Sequence, residues 1–210
     1  MKSDIRLLFH SSIKIAGEKV IYCDPFEIDE ESHDADIILI SHDHHDHFSP
    51  NDIKKVMNED TIIITPLSGE EKAKELTNNV ISLKPYGYIN VEGVDIDCIP
   101  AYNISKQFHP KENDWLAFII TMNEEVIFIA GDSDVNEDNL KVKCDIALVP
   151  IGGKYTMDAH EAASLVNTIK PKIAIPTHYG SVAGNKEDED IFKKEVSEDI
   201  EVKVLMERYN

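Results

Sequence analysis

The strongest constraint on this chain is an apolar run that gives way abruptly to a polar one. Ile37-Ile38-Leu39-Ile40 is short and rich in β-branched residues, the pattern of a buried strand. After Ser41 comes His42-Asp43-His44-His45-Asp46-His47, which holds four of the nine histidines. A chain that buries the first segment must carry imidazoles and carboxylates to the rim of a sheet. His42, His44, Asp46 and His47 read His-x-His-x-Asp-His, a donor set that suits a borderline divalent ion such as zinc.

Later segments repeat the arrangement. Val126–Ala130 and Gly131 lead to Asp132, and Ile173–Thr177 leads to His178, followed by Tyr179-Gly180. His109 lies in the less regular stretch Ala101–Pro110, after an expected strand. Each alone reads equally well as a turn acid, a core histidine or a loop residue. Together they point to one site assembled from distant segments.

The remaining pattern is that of an α/β protein in one domain spanning residues 1–210. Strands are predicted at Ile5–Phe9, Lys19–Cys23, Asp36–Ser41, Thr61–Thr65, Val80–Leu83, Val94–Pro100, Trp115–Met122, Val126–Ala130, Asp145–Pro150, Lys172–Pro176 and Glu201–Leu205. Ser49-Pro50-Asn51-Asp52 supplies a cap and a first-turn proline for a helix through Ile53–Met57. A weaker helical signal covers Gly69–Leu76. The best covers Met157–Ile169, where Asp158 and Glu161 form a capping box and Pro171 stops the helix.

Hydrophobic residues make up 42% of the chain, yet no apolar run nears the ~18 residues of a membrane span. The first residues carry no secretion signal, and Cys23, Cys98 and Cys144 show no C-x-x-C spacing, so a cytoplasmic protein with reduced thiols is expected. A net charge of −19 argues against nucleic acid or an anionic membrane as partner. It leaves room for an anionic small molecule, because distant charge is screened beyond ~8 Å. The run Glu187-Asp188-Glu189-Asp190 is expected to be solvated surface.

From about His10 to Gly180 the chain resembles the metallo-β-lactamase-fold hydrolases, on His42, His44, Asp46 and His47, on Gly131-Asp132, and on Thr177-His178-Tyr179-Gly180. Cys23-Asp24-Pro25-Phe26, Ala101-Tyr102-Asn103 and Gly153–Asp158 lean towards the branch of ascorbate-6-phosphate lactonase-like proteins and related phosphodiesterases. The resemblance implies an αββα sandwich with a two-ion centre at one edge of its sheets. His42, His44 and His109 would hold the first ion; Asp46, His47 and His178 the second; Asp132 would bridge them. The ions would be zinc foremost, with manganese or iron as alternatives, and Asp43 and His45 would stand outside the ligand set.

Such a pair of ions brings a shared water towards neutral pKa, and the bridging hydroxide would attack a carbonyl or phosphorus centre. Asp46 would hold that water and pass on its proton. The expected substrate is a small phosphate-bearing molecule, a phosphodiester or a sugar-phosphate lactone. His10 and Asp24 are candidates for supporting the ligands. Tyr102, Asn103, Lys106, Lys154, Tyr155 and Tyr179 are candidates for substrate contact, while His33 and His160 should face solvent. The competing functions are a non-catalytic metal-binding or scaffold protein and a di-iron redox protein. The latter usually carries a flavin domain for which this chain has no room. Oligomerisation is left open.

Overall fold

The computed structural model describes residues 1–209. Six strands form one sheet in chain order: β1 (Asp4–Phe9), β2 (Ser12–Ala16), β3 (Val20–Cys23), β4 (Ala35–Leu39), β5 (Met57–Pro66) and β6 (Val80–Leu83). Seven form the other: β7 (Tyr88–Val91), β8 (Val94–Pro100), β9 (Leu116–Met122), β10 (Glu125–Ile129), β11 (Ile146–Pro150), β12 (Ile173–Thr177) and β13 (Glu201–Val202). In space their order is β13-β12-β11-β10-β9-β8-β7. The sheets face one another across a core that includes Leu7, Ile15, Ile37 and Leu39 from one and Ile96, Phe118, Ile127 and Leu148 from the other.

Helices cover both outer faces, which completes the four-layer αββα sandwich. α1 (Pro50–Val56) and α2 (Glu70–Lys74) bury Ile53, Val56 and Ala73 against Ile38, Ile40 and Ile63 of the first sheet. α3 (Ala159–Ile169) packs on β11 and against α4 (Asp188–Glu195). Burial explains the strand patterns: β1 alternates, with one face in the core, whereas β11 and β12 are buried at every residue between sheet and helices. No helix of the described residues is long and apolar enough to cross a membrane.

The helix caps follow the sequence. Ser49 Oγ accepts from the Asp52 backbone N–H, with Pro50 in the first turn. Asp158 Oδ1 accepts from the Glu161 N–H at 2.8 Å while Glu161 Oε2 accepts from the Asp158 N–H at 3.0 Å. Three elements differ from expectation. β2, paired with β1 on one side and β3 on the other, and β7, the short partner of β8 in a hairpin, are absent from the predicted strands. The β7–β8 turn uses Glu92 and Gly93, both at positive φ, in place of the Asn-Gly that would flag it. The acidic run lies at the surface as expected, and it also opens an unpredicted helix, α4, where three acids in the first turn complement the helix dipole.

Strand direction positions the site. β3 and β4 run parallel, as do β11 and β12 with β10. β1 joins this direction through two antiparallel pairings, and so does β8. The carboxyl ends of β1, β3, β4, β8, β10 and β12 therefore deliver His10, Asp24, His42, Asn103, Asp132 and His178 towards one rim.

Candidate metal centre

At that rim the backbone bends sharply. His10, Asp24 and His178 each directly follow a strand, and each has φ between +48° and +55°; His109 has φ +59°. Left-handed backbone is uncommon outside glycine and collects at functional sites. Gly131, at φ +60°, makes the corresponding bend before Asp132. Any side chain at Gly152 would put Cβ 2.3 Å from the His178 carbonyl oxygen, so the β11 loop can pass the β12 loop only with glycine there.

These bends bring seven expected ligands together. Potential donor atoms of His42, His44 and His109 lie within 4.8 Å of one another, and so do those of His42, His47 and Asp132. A third group at the same spacing joins Asp46, His47 and His178 with His10, which the sequence had suggested only as a supporting residue. Asp132 is the hub. Its carboxylate lies 3.1 Å from His178 Nε2, 3.3 Å from His109 Nε2, 3.4 Å from His47 Nε2 and 4.0 Å from His42 Nε2.

All but His44 are buried, yet the cluster is short of hydrogen bonds. Nε2 of His10, His47, His109 and His178, Nδ1 of His178 and Oδ1 of Asp132 have no partner. Buried polar atoms are ordinarily paired, and leaving one unpaired costs about 1–3 kcal/mol. The unpaired Nε2 atoms and Asp132 Oδ1 converge on one space and fit divalent cations, while His178 Nδ1 lies on the far side of its ring, beside Gly152.

Surrounding groups set the direction of the rings. His47 Nδ1 donates to Asp24 Oδ2 at 2.7 Å, leaving Nε2 to face Asp132. His42 Nδ1 donates to Ser41 Oγ at 2.9 Å, and Ser41 Oγ donates in turn to Asp24 Oδ2 at 2.6 Å. One carboxylate thus orients a histidine of each half, directly or through a hydroxyl. His109 Nδ1 donates to the Tyr155 carbonyl at 3.1 Å. Asn103 braces that loop by donating to the carbonyls of Tyr155 and Phe108. Trp115, the chain's single tryptophan, has its rings 4.7 Å from His42, 4.8 Å from His44 and 5.3 Å from His109.

Charge follows the geometry. Burial works against ionised Asp132, but the charges of His178 and His47 outweigh it and hold the carboxyl well below the usual range. Burial likewise depresses His47, yet Asp132 and Asp24 on its two sides lift it well above the ordinary imidazole value. His42, fully enclosed, is pushed well down by burial and then by His47. His10 falls to about 4 through burial and then the neighbouring His178.

The amino-acid sequence over residues 4–178 matches the beta-lactamase superfamily domain. The chain belongs to the beta-lactamase superfamily. Within it, the UPF0173 metal-dependent hydrolase of Pyrococcus abyssi is 30% identical over 215 residues, covering 96% of this chain and 95% of that protein. Its counterpart in Thermoplasma acidophilum is 32% identical over 196 residues, covering 88% and 86%. A solved structure described as a metal-dependent hydrolase, from Parabacteroides distasonis, superposes with a TM-score of 0.80 at 29% identity, over 97% of this chain and 92% of that one. This superfamily member is a metal-dependent hydrolase.

The remaining expected site residues divide. A cavity of about 270 Å³ opens over the cluster, lined by His44, Asp46, His109, Asp132 and His178 at its base and by Phe108, Tyr155 and Val182 on its wall. Lys154 places Nζ 4.7 Å from the centre of the Tyr155 ring. His45 lines the mouth and is exposed, and Asp43 faces Lys72; neither belongs to a donor group. Tyr102 and Lys106 are not brought to the cavity: the Tyr102 hydroxyl donates to Asp138 at 3.2 Å, and Lys106 is bound to Asp134 and Glu161. Tyr179 is buried away from the cavity, donating to Glu189 at 2.9 Å. His33 and His160 face solvent. Ser41, Trp115, Phe108 and Val182 carried no signal of their own. Ser41 could have been found by its place beside His42, and Trp115 by being the lone tryptophan.

Proposed function

We propose that the centre takes two divalent ions and hydrolyses a small ester-like substrate, a phosphodiester or a lactone. The observation that supports this reading is the set of unpaired donors shared around Asp132, which touches histidines of both halves. His42, His44 and His109 would hold one ion, Asp46, His47 and His178 the other, with Asp132 between them. Zinc is the first choice for so imidazole-rich a set, and manganese or iron would also be accepted. When bound, such ions act as Lewis acids on the substrate oxygen and acidify a water towards neutral pH.

The chain's own residues do the rest. Asp46 lines the cavity, and its carboxyl is held well below the usual range: burial opposes ionisation, but the contact with His10 and the charge of His47 outweigh it. An ionised Asp46 can orient the attacking water by accepting its proton and can deliver that proton to the leaving group. Phe108, Tyr155 and Val182 form an apolar wall that can seat the substrate's carbon skeleton. Lys154, exposed beside Tyr155, is the cation available to a phosphate or other anionic group of the substrate, which supports the lactonase-like or phosphodiesterase reading of the branch.

The test is a panel assay of purified protein reloaded with zinc, manganese or iron, against bis-p-nitrophenyl phosphate, p-nitrophenyl phosphate and sugar-phosphate lactones. Metal-dependent turnover of a diester or lactone is expected. Two bound ions without turnover of any of these substrates would overturn the phosphodiester and lactone reading and leave the hydrolase with another substrate class.

A further inference from the structure

His10 is the one member of the cluster outside the expected ligand set, and its surroundings are those of a ligand. The residue is fully buried. Its backbone is in the left-handed region, and its carbonyl accepts from the His178 N–H at 2.9 Å, which ties the end of β1 in one sheet to the end of β12 in the other. The two rings are 3.9 Å apart between centroids. His10 Nδ1 lies 3.1 Å from Ser181 Oγ, so that nitrogen is occupied. Nε2 has no hydrogen-bond partner and lies 3.5 Å from Asp46 Oδ2, inside the group formed with His47 and His178.

We propose that His10 is a further protein donor to the second ion, beside Asp46, His47, His178 and the shared Asp132, acting through Nε2 with its Nδ1–H donated to Ser181. The inference rests on the two-ion reading above and deepens it by making the centre asymmetric. With Asp132 counted for both ions, the second has five protein donors and the first four, and each added donor takes a position that water or substrate would otherwise fill. His10, Asp46, His47 and His178 then form the fuller half, in which all four residues are buried although Asp46 and His178 reach the base of the cavity. His42, His44 and His109 form the open half, in which His44 is exposed to the cavity. The second ion is held as part of the fold, and the first is the one that exchanges and meets substrate.

The decisive experiment titrates the purified full chain with Zn²⁺, counts ions by mass spectrometry and strips them with a graded chelator. Co²⁺ spectra of the reloaded protein report the donors. The informative variant is His10→Asn. Its side-chain amide can keep the Ser181 contact and asparagine tolerates positive φ, but it places no donor where Nε2 was. His10→Gln, whose amide reaches the Nε2 position, is the partial rescue.

Wild type should release its two ions in two steps. His10→Asn should weaken the tighter step by roughly 10- to 100-fold, leave the looser step in place and change the Co²⁺ d–d bands, with a circular dichroism spectrum like wild type. His10→Gln should fall between the two. Unchanged chelator steps and Co²⁺ bands in His10→Asn would overturn the role of His10 while leaving the two-ion reading standing. Fewer than two ions in saturated wild type would overturn that reading itself, and the proposal with it. If His10→Asn does not fold, a His10→Gln protein with wild-type steps and bands would overturn the proposal, and a weakened tighter step would support it.

Discussion

The two halves of the proposed metal centre share Asp132 but are built differently. The His42, His44 and His109 half leans on one aromatic face, Trp115, and on a loop carbonyl, that of Tyr155. One of its rings is exposed. The His10, Asp46, His47 and His178 half is the more enclosed, although Asp46 and His178 line the cavity base. It is cross-linked between the sheets by the His178 N–H to His10 carbonyl bond and anchored by Asp24. A ligand at a strand end is held by the sheet itself. His10 and His178 follow strands in the enclosed half and His42 follows one in the other, while Asp46, His47, His44 and His109 sit on loops. The enclosed half is thus suited to retention of an ion, and the other half to access.

The largest effect should come from the residue that both halves share. Asp132→Ala is expected to lower hydrolysis by on the order of 10²- to 10³-fold or more and to reduce bound metal in both halves, with the fold intact by circular dichroism. Selective loss from one half alone would break the symmetry assigned to Asp132. A smaller effect is expected for Asp24→Asn, which keeps the left-handed backbone but puts an amide where Ser41 and His47 donate. Chelator competition should show affinity falling by roughly 10- to 100-fold, more at the enclosed half, where the bond is direct, than at the open half, where it passes through Ser41. Equal loss in both would mean the hydroxyl relay matters as much as the direct bond.

The smallest effect lies outside both halves and serves as their control. Asp52 in α1 accepts from Ser49 Oγ at 2.7 Å, Lys55 Nζ at 2.9 Å and the Glu27 N–H at 3.0 Å. Burial raises its carboxyl, but these bonds outweigh burial and leave it lowered. A carboxyl lowered by folding stabilises the protein above its unfolded value of about 3.9, and the contribution fades as pH falls through the folded value. Asp52→Asn should therefore cost about 1–3 kcal/mol at pH 7. In urea melts the difference from wild type should shrink below about pH 4, while metal content at pH 7 equals that of wild type.

Much of this was legible in the chain. Apolar runs ending in ligand-type residues marked β4, β10 and β12, and the Asp158–Glu161 box marked the start of α3 within two residues. These signals are local, so a strand or a cap announces itself within a few positions. Neither β7 nor α4 did so, because a short edge strand and a polar helix owe their form to their neighbours. The lysines mislead for a related reason. Lys106 lies in the same loop segment as His109, yet Asp134 and Glu161 hold it elsewhere.

The sequence by itself determined which chemical groups would stand at the ends of buried strands, because periodicity and burial leave a polar residue after an apolar run nowhere else to go. Only the tertiary structure decided that His10, separated from His178 by most of the chain, shares a group with it, and that Asp24 serves histidines of both halves. Those relations depend on strand order, strand direction and the facing of two sheets, which are set by packing across the whole core and leave no mark in any short stretch of residues.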